Sequence, residues 1–402
     1  MENKNTKKTL LILFLIFLLL IFYLIGHNKR NIDEMQYQEP ASQNYLKQKI
    51  KQKVKPVKSW KSLGKKTISS GVSEFPCIFI SEGMPYVAYI DHSNNYKISV
   101  KAYNGSSWNF LGTHTISEDE AYYLSLFVDK KTPYIAYSDK SKDYKLTIRY
   151  FNGTQWENIG NNIRTGKVSD ISIKVYKGIP YISFIEETTE QKLQVFKFIN
   201  NEWISVGRNP VNVGPTKYTS LVIDEGMPYV AYIDASNFRL IVKKYDGENW
   251  VPVGRNIATG TANHPSLQIY KGTPFVAFTD NVKYSYPIQS ASITETKVKK
   301  FDGVNWILIG SKPLSKDRND FTMIKFNNDI LYAAYINFDL DNNLIIQRYN
   351  GGKWTMINSK TLTGTPNESN ARYFSFDIQK ASPYIAYVDQ VNKNKISVLK
   401  YH

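Results

Sequence analysis

A pentapeptide that returns seven times at a nearly constant interval leaves this chain few folds to choose from. Pro85-Tyr86-Val87-Ala88-Tyr89 recurs at 133–137, 180–184, 228–232, 274–278 and 383–387. A degenerate copy, Leu331-Tyr332-Ala333-Ala334-Tyr335, stands before the last of these. All seven tryptophans (Trp60, Trp108, Trp156, Trp203, Trp250, Trp306 and Trp354) fall in a second motif, W-x-x-x-G or a near relative. Within a unit of about 47 residues, four short β-type runs alternate with turn signals. In the first unit the runs are 75–80, 86–90, 97–103 and 108–111, separated by Gly83, Asp91–Asn94 and Asn104-Gly105. Asn-Gly is a strong hairpin signal, and proline is tolerated where it opens a strand. Four antiparallel strands per 40–50 residues make a propeller blade.

The ends of the chain complete the count. The seventh unit stops at His402 after its third strand, with no tryptophan motif of its own, and Ser59-Trp60-Lys61-Ser62-Leu63-Gly64 supplies a spare one. The sequence therefore predicts an all-β, seven-bladed β-propeller over 58–402, its last blade completed by an N-terminal outer strand.

Ahead of the propeller, Leu10 to Ile25 form sixteen unbroken apolar residues between Lys4, Lys7 and Lys8 on one side and Lys29 and Arg30 on the other. No small-x-small cleavage site follows, so the reading is an uncleaved transmembrane helix over 9–26 behind a short tail, 1–8, with the propeller outside the cytoplasm. Residues 27–57 form a Lys-rich stalk in which Lys47, Lys49, Lys51, Lys53 and Lys55 alternate with other residues. This is a solvated spacer or a contact for anionic head groups. The net charge of +16 is unevenly spread: the first 57 residues carry ten basic residues against four acidic, +6 from a seventh of the length. Elsewhere both signs intersperse without a basic helix or nucleic-acid motif, so a nucleic-acid role is excluded. The single cysteine, Cys77, rules out an intrachain disulfide.

A repeat protein carries its own internal comparison: positions shared by every blade are structural, and positions that vary are candidates for binding. Six residues after the motif proline stand Asp91, Asp139, Glu186, Asp234, Asp280, Asn337 and Asp389. Asp and Asn there cap a turn, which outweighs reading the seven as a metal ring. The loop with Asp339, Asp341 and Asn343 is kept as a possible calcium site. Eight residues before the proline, Cys77 occupies a slot filled by serine in five other blades, which points to packing rather than a reactive thiol.

Ten residues before the proline come Phe75, Tyr123, Asp170, Tyr218, His264, Phe321 and Tyr373, near the mouth of the central channel. Glu74, Tyr122, Lys217, Asp320 and Arg372 are among their immediate neighbours. Such a collar of aromatic faces and charges suits a sugar, although the same rings could simply wedge the blades apart. An enlarged blade-five loop, 281–296, adds Tyr284 and Tyr286, and the sector over blades five to seven is the expected recognition surface.

The units lack the signatures of WD40, kelch and sialidase Asp-box repeats. With P-Y-[VI]-A-Y-x-D followed by W-x-x-[VI]-G, residues 58–402 resemble bacterial extracytoplasmic seven-bladed propeller repeat proteins. That resemblance implies lectin-like or scaffolding roles, on a superfold that does not carry function by itself. No nucleophile elbow, P-loop, dinucleotide fingerprint or paired metal-ligand histidines are present. The sequence expectation is accordingly a non-enzymatic, membrane-tethered module that binds a glycan or an envelope protein. The alternative is a glycan hydrolase or lyase using the collar carboxylates Asp170 and Asp320.

Overall fold

The computed structural model describes residues 59–402 apart from 161–162, 285–290, 341–342 and 358–372. The proposed anchor and stalk lie outside these residues. Among the described residues, no helix is long and apolar enough to cross a membrane.

The described strands form seven four-stranded antiparallel sheets, the blades of a propeller. In blade one the strands run from the channel outward as Ser73–Ser81, Met84–Asp91, Lys97–Tyr103 and Trp108–Phe110. The seventh sheet closes as the sequence predicts. Trp60–Ser62 pairs with the last strand, Lys395–Tyr401, in the register Trp60 to Tyr401 and Ser62 to Leu399. Ser59 and His402 exchange backbone hydrogen bonds of 3.2 and 3.1 Å.

The motif pentapeptide is buried because its strand packs on both faces. Tyr86 and Ala88 join the cluster with blade two, built on Leu126, Ile135 and Trp156. Val87 and Tyr89 turn the other way, into a cluster with Tyr384, Ala386 and Val388 of blade seven. The two-residue period of a strand thus gives each half of the motif to a different neighbour. The core is a set of such layers between blades, and each fully buried aliphatic or aromatic side chain stabilises it by roughly 1.5–3 kcal/mol.

The tryptophan motif is a fastener between blades. The Trp108 indole donates to the Leu63 carbonyl at 2.7 Å, Trp156 to Leu111 at 2.8 Å and Trp203 to Ile159 at 3.0 Å. Trp250, Trp306 and Trp354 donate in the same way to Val206, Val253 and Ile309. Each acceptor immediately precedes the motif glycine. Gly112 shows why glycine is needed: its φ is +73°, and a Cβ would stand 3.3 Å from Trp156 Cδ1. Trp60 differs, for its buried Nε1 has no hydrogen-bond partner among the described residues.

The serine slot fastens the blades a second time, beside the channel. Ile78 N donates to Ser375 Oγ at 3.0 Å; Ile173, Leu267 and Ile324 N–H donate to Ser125, Ser220 and Ser266 Oγ at 3.1 Å. Cys77 Sγ meets the Leu124 carbonyl at 3.4 Å, and burial pushes its thiol up to about 11. That agrees with a packing role and leaves no thiolate at neutral pH.

Two features of the inter-strand turns bear on the sequence reading. Asp91, Asp139, Asp234 and Asp389 accept backbone N–H groups from the following turn, and Asn337 accepts two. These residues are caps. The blade-five insertion, read as an enlarged loop, is a lengthened hairpin instead. Strands Thr273–Tyr284 and Ala291–Phe301 continue pairing through Asn281 to Thr294, Val282 to Ile293, Lys283 to Ser292 and Tyr284 to Ala291. At its base, buried Lys297 bridges Asp280 at 2.8 Å and Glu295 at 2.7 Å.

Substitution of Trp156 by Phe should strand the Leu111 carbonyl and cost about 1–3 kcal/mol, read as a lower denaturant midpoint. Trp60→Phe, which breaks no indole hydrogen bond, should cost distinctly less. Equal losses would show that packing alone, not the indole donor, fastens the blades.

Candidate functional site

All seven collar residues line one cavity of about 370 Å³ at the channel mouth. An adjoining recess of about 270 Å³ is shared by Asp170, Tyr218, His264 and Phe321. A bulge at the start of the innermost strands brings them there. In blade one Glu74 pairs with Ile90 and Cys77 with Ala88, so Phe75 and Pro76 together oppose the single buried Tyr89. The same register shift occurs in blades two to six. At each shift the collar residue adopts a left-handed conformation, with φ between +43° at His264 and +56° at Phe321. Such a conformation is rare for bulky residues and costs about 1–3 kcal/mol, and bulges of this kind re-aim side chains.

The re-aimed groups form a contiguous set. Phe75 and Tyr373 have ring centroids 4.0 Å apart. The His264 ring sits between Tyr218, at 4.0 Å, and Phe321, at 4.5 Å. His264 Nδ1 meets Asp320 Oδ1 at 2.5 Å, and the same oxygen accepts the Phe321 N–H at 2.9 Å. With Nδ1 committed to Asp320, Nε2 is the nitrogen left for a ligand. Asp170 Oδ2 accepts the Tyr218 N–H at 3.0 Å. Burial raises the Asp170 carboxyl above its usual range, while the Tyr218 N–H, His264 and Lys217 pull it the other way. Burial also raises the Tyr218 phenol, with Asp170 and Asp320 adding to the effect. Tyr123 is raised by burial as well, and at 43% exposure it offers its face to solvent.

The remaining sequence candidates divide. Asp320 joins the collar through His264. Glu74, Tyr122 and Lys217 do not line either cavity. Glu74 pairs with His92 Nε2 at 3.2 Å. Tyr122 donates to Glu120 at 2.7 Å, which carries its phenol up to about 12. Lys217 is exposed, 5.9 Å from the Phe238 ring centroid. Arg372 and Tyr286 lie outside the described residues, and of Tyr284 only the backbone, at the end of its strand, is described. For the calcium loop, Asp339 is engaged by Arg318 through backbone N at 2.8 Å and Nε at 2.7 Å. Asn343 opens a strand and Asp341 lies outside the described residues. Among the described residues no group of three His, Cys, Asp or Glu is placed to hold a metal. A larger recess of about 570 Å³ on the flank of blade four, lined by Arg239, Lys243 and Arg255, contains no acid–base couple.

Chemically, the collar offers a histidine oriented by a carboxylate, a phenol ring tilted against it, a carboxyl that burial raises above its usual range, and aromatic faces. Those are the parts of a proton-transfer site on a ring-shaped ligand.

No protein-family profile matches this sequence, and no curated protein matches it. Among solved structures, the fold is similar to that of a polysaccharide lyase, an ulvan lyase solved with a repeat of glucuronic acid and sulfated rhamnose bound. The TM-score is 0.57 at 13% identity, covering 84% of this chain and 94% of the other. The polysaccharide lyase Uly1 is similar too, with TM-score 0.53 at 9% identity, over 82% of this chain and 89% of the other. At these identities the likeness establishes the seven-bladed propeller and nothing finer. The expectation of a non-enzymatic module is corrected to this extent: the two similar structures are those of polysaccharide lyases, so the fold gives no ground for excluding an enzyme.

A carboxyl raised in the fold stabilises most below its ordinary value of 3.8 and loses that contribution as pH climbs through the folded value. Asp170→Asn should therefore match or exceed the parent's denaturant midpoint at pH 7, with the difference shrinking toward pH 4. A variant equally weakened at both pH values would show that the carboxyl is not held against its charge.

Proposed function

We propose that this chain is a glycan-acting enzyme whose reaction is β-elimination within a uronate-containing polysaccharide, carried out at the collar. The observation that carries the reading is the His264–Asp320 contact, set in an aromatic-ringed cavity with the Tyr218 ring tilted against the imidazole at 4.0 Å. Elimination begins when a base takes the proton from C5, beside the sugar carboxylate. The C–H electron pair becomes the C4=C5 double bond, the C4–O bond breaks, and the departing glycosidic oxygen takes up a proton. Neutral His264 is the base through Nε2, and Asp320 holds the tautomer and stabilises the imidazolium that forms. The Tyr218 phenol is the proton donor to the leaving oxygen. Asp170, whose carboxyl burial raises above its usual range, lines the same cavity and hydrogen-bonds the sugar beside the reacting carbon. Tyr123, Phe75 and Tyr373 provide stacking faces for neighbouring sugars.

Two-carboxylate hydrolysis is less well served, since Asp320 Oδ1 already accepts from His264 and from Phe321. The glucuronic acid bound in the similar ulvan lyase is a ligand of the class proposed. In this reading the apolar run Leu10–Ile25 and the lysine-rich stalk hold the propeller outside the cytoplasm, where such polymers are met.

Incubation of the full chain with a panel of uronate polysaccharides should produce the ultraviolet absorbance of an unsaturated uronate. His264→Ala should lower that rate by roughly 10²–10⁴-fold with substrate binding retained, and Asp320→Asn should lower kcat more than it raises KM. New reducing ends without unsaturation would replace elimination by hydrolysis. No product from any polymer would refute the enzyme.

A further inference from the structure

Beneath the collar, at and past the serine ring, lies a second, partly open space of about 210 Å³, which the collar chemistry does not use. Its wall includes Ser125, Ser220, Ser266 and Ser375, together with Cys77, Phe79, Phe127, Gln268 and two lysines, Lys174 and Lys325. At about 30 Å³ per water molecule, the space holds several waters or one small ion with part of its hydration.

The charges in this space do not balance. Lys325 Nζ stands 3.5 Å from Asp377 Oδ1, and Asp377 Oδ2 accepts the Ile80 N–H at 2.7 Å, so the one carboxylate is occupied on both oxygens. Lys174 has no carboxylate within ion-pair distance among the described residues. Its Nζ reaches Ser172 Oγ at 3.4 Å and the Ile173 carbonyl at 3.2 Å, and stands 5.8 Å from the Phe127 ring centroid. Burial brings this ammonium down to about 8, with Lys325 adding to the effect and Cys77 and Asp377 opposing it. At neutral pH it remains mostly charged, and a partly buried charge without a counter-ion carries a desolvation cost. The four serines add donors. Each Oγ already accepts a backbone N–H from the neighbouring blade, so its own hydroxyl proton is left to give, and among the described residues no protein acceptor takes it. Two ammonium groups and a ring of hydroxyl donors, with the carboxylate already committed, form a site built for an acceptor.

We propose that the channel beneath the collar binds one small tetrahedral oxyanion, of the sulfate or phosphate class, held by Lys174 and Lys325 and by the serine hydroxyls above them. The site is independent of the elimination reaction proposed at the collar. The bound anion links the inner strands of blades three and six, on opposite sides of the channel, and so stabilises the closed ring.

Thermal unfolding of the full chain tests this, with sodium chloride exchanged for sodium sulfate at constant ionic strength. A saturable rise in Tm at millimolar sulfate is expected, by the linkage that any ligand of the native state obeys. Sulfate also stabilises proteins generally by exclusion from their surface, but that effect grows without saturating. Lys174→Met should remove the saturable part. Should that variant fail to fold, the pH series on the parent chain decides. Sulfate stays a dianion above pH 6, so its apparent affinity should fall about tenfold per unit once pH exceeds about 8 and Lys174 loses its proton. The other charged groups facing Lys174 are Lys325 and Asp377 at its own level, and Asp170, His264 and Asp320 at the collar. Asp129, Asp224 and Tyr176 follow two residues further along their strands. Cys77, near 11, keeps its proton through this range. His264→Ala should leave the sulfate response intact. A response that never saturates, one that survives Lys174→Met, or one lost in His264→Ala would each overturn the proposal, the last by moving the anion to the collar.

Discussion

The hydrogen bond from six of the seven indoles to a carbonyl of the preceding blade is the contact on which the rest of this ring depends. A blade alone is a four-stranded sheet with two apolar faces, and neither face is covered until a neighbour arrives. The tryptophan supplies the apolar surface and the directional bond at once, and the glycine beside its acceptor lets the two backbones approach. The serine-to-backbone bonds repeat the fastening nearer the axis. Indole bonds at six junctions and serine bonds at four of the same junctions fix the rotation of one blade against the next, while blades six and seven meet through packing and the Trp60 ring. That rotation decides whether seven side chains, drawn from strands some 47 residues apart in sequence, point into one cavity or past one another.

Because those contacts recur, they were legible. The proline-led pentapeptide reports a strand buried on both faces, and the W-x-x-x-G motif reports the inter-blade bond. The spare Trp60 motif reports a closure that the pairing of Trp60 with Tyr401 realises. The capping role of Asp91, Asp139, Asp234 and Asp389 followed from residue type and position. The blade-five insertion was misjudged because its strand signal is weak. Val282 and Ile293 are its main β-formers on the described ladder, and Pro287 and the serines around it read as turn chemistry, so pairing that continues the hairpin left little trace.

The collar was legible in position but not in conformation. A left-handed backbone is normally announced by glycine or asparagine, yet here it is adopted by Phe75, Tyr123, Asp170, Tyr218, His264 and Phe321. Six bulky residues held at positive φ represent strain that the surrounding ladder and the inter-blade contacts must outweigh. A ring needing only to be filled would have no use for it, since an ordinary strand residue would turn toward the core on schedule. What the bulge changes is direction: in blades one to six it takes one residue out of the alternating pattern and commits it to the channel mouth.

The same geometry explains why short-motif reasoning pointed away from catalysis. In many enzymes the acid, base and orienting group lie on one loop or helix, and their spacing makes a recognisable string. Around a propeller axis the working groups come one per blade. His264 and its partner Asp320 are 56 residues apart, at adjacent register positions in neighbouring units. No string of fixed short spacing can encode such a pair, and each member read alone is an ordinary collar residue. The relevant code is register across repeats. In that code Asp170 and His264 depart from the Phe/Tyr run, and Asp320 stands one residue out of step in the blade after His264. The sequence held this information, but only the inter-blade rotation turns it into a 2.5 Å contact. A search for chemistry in repeat folds therefore gains most by aligning the blades with one another and asking which departures fall on neighbouring blades.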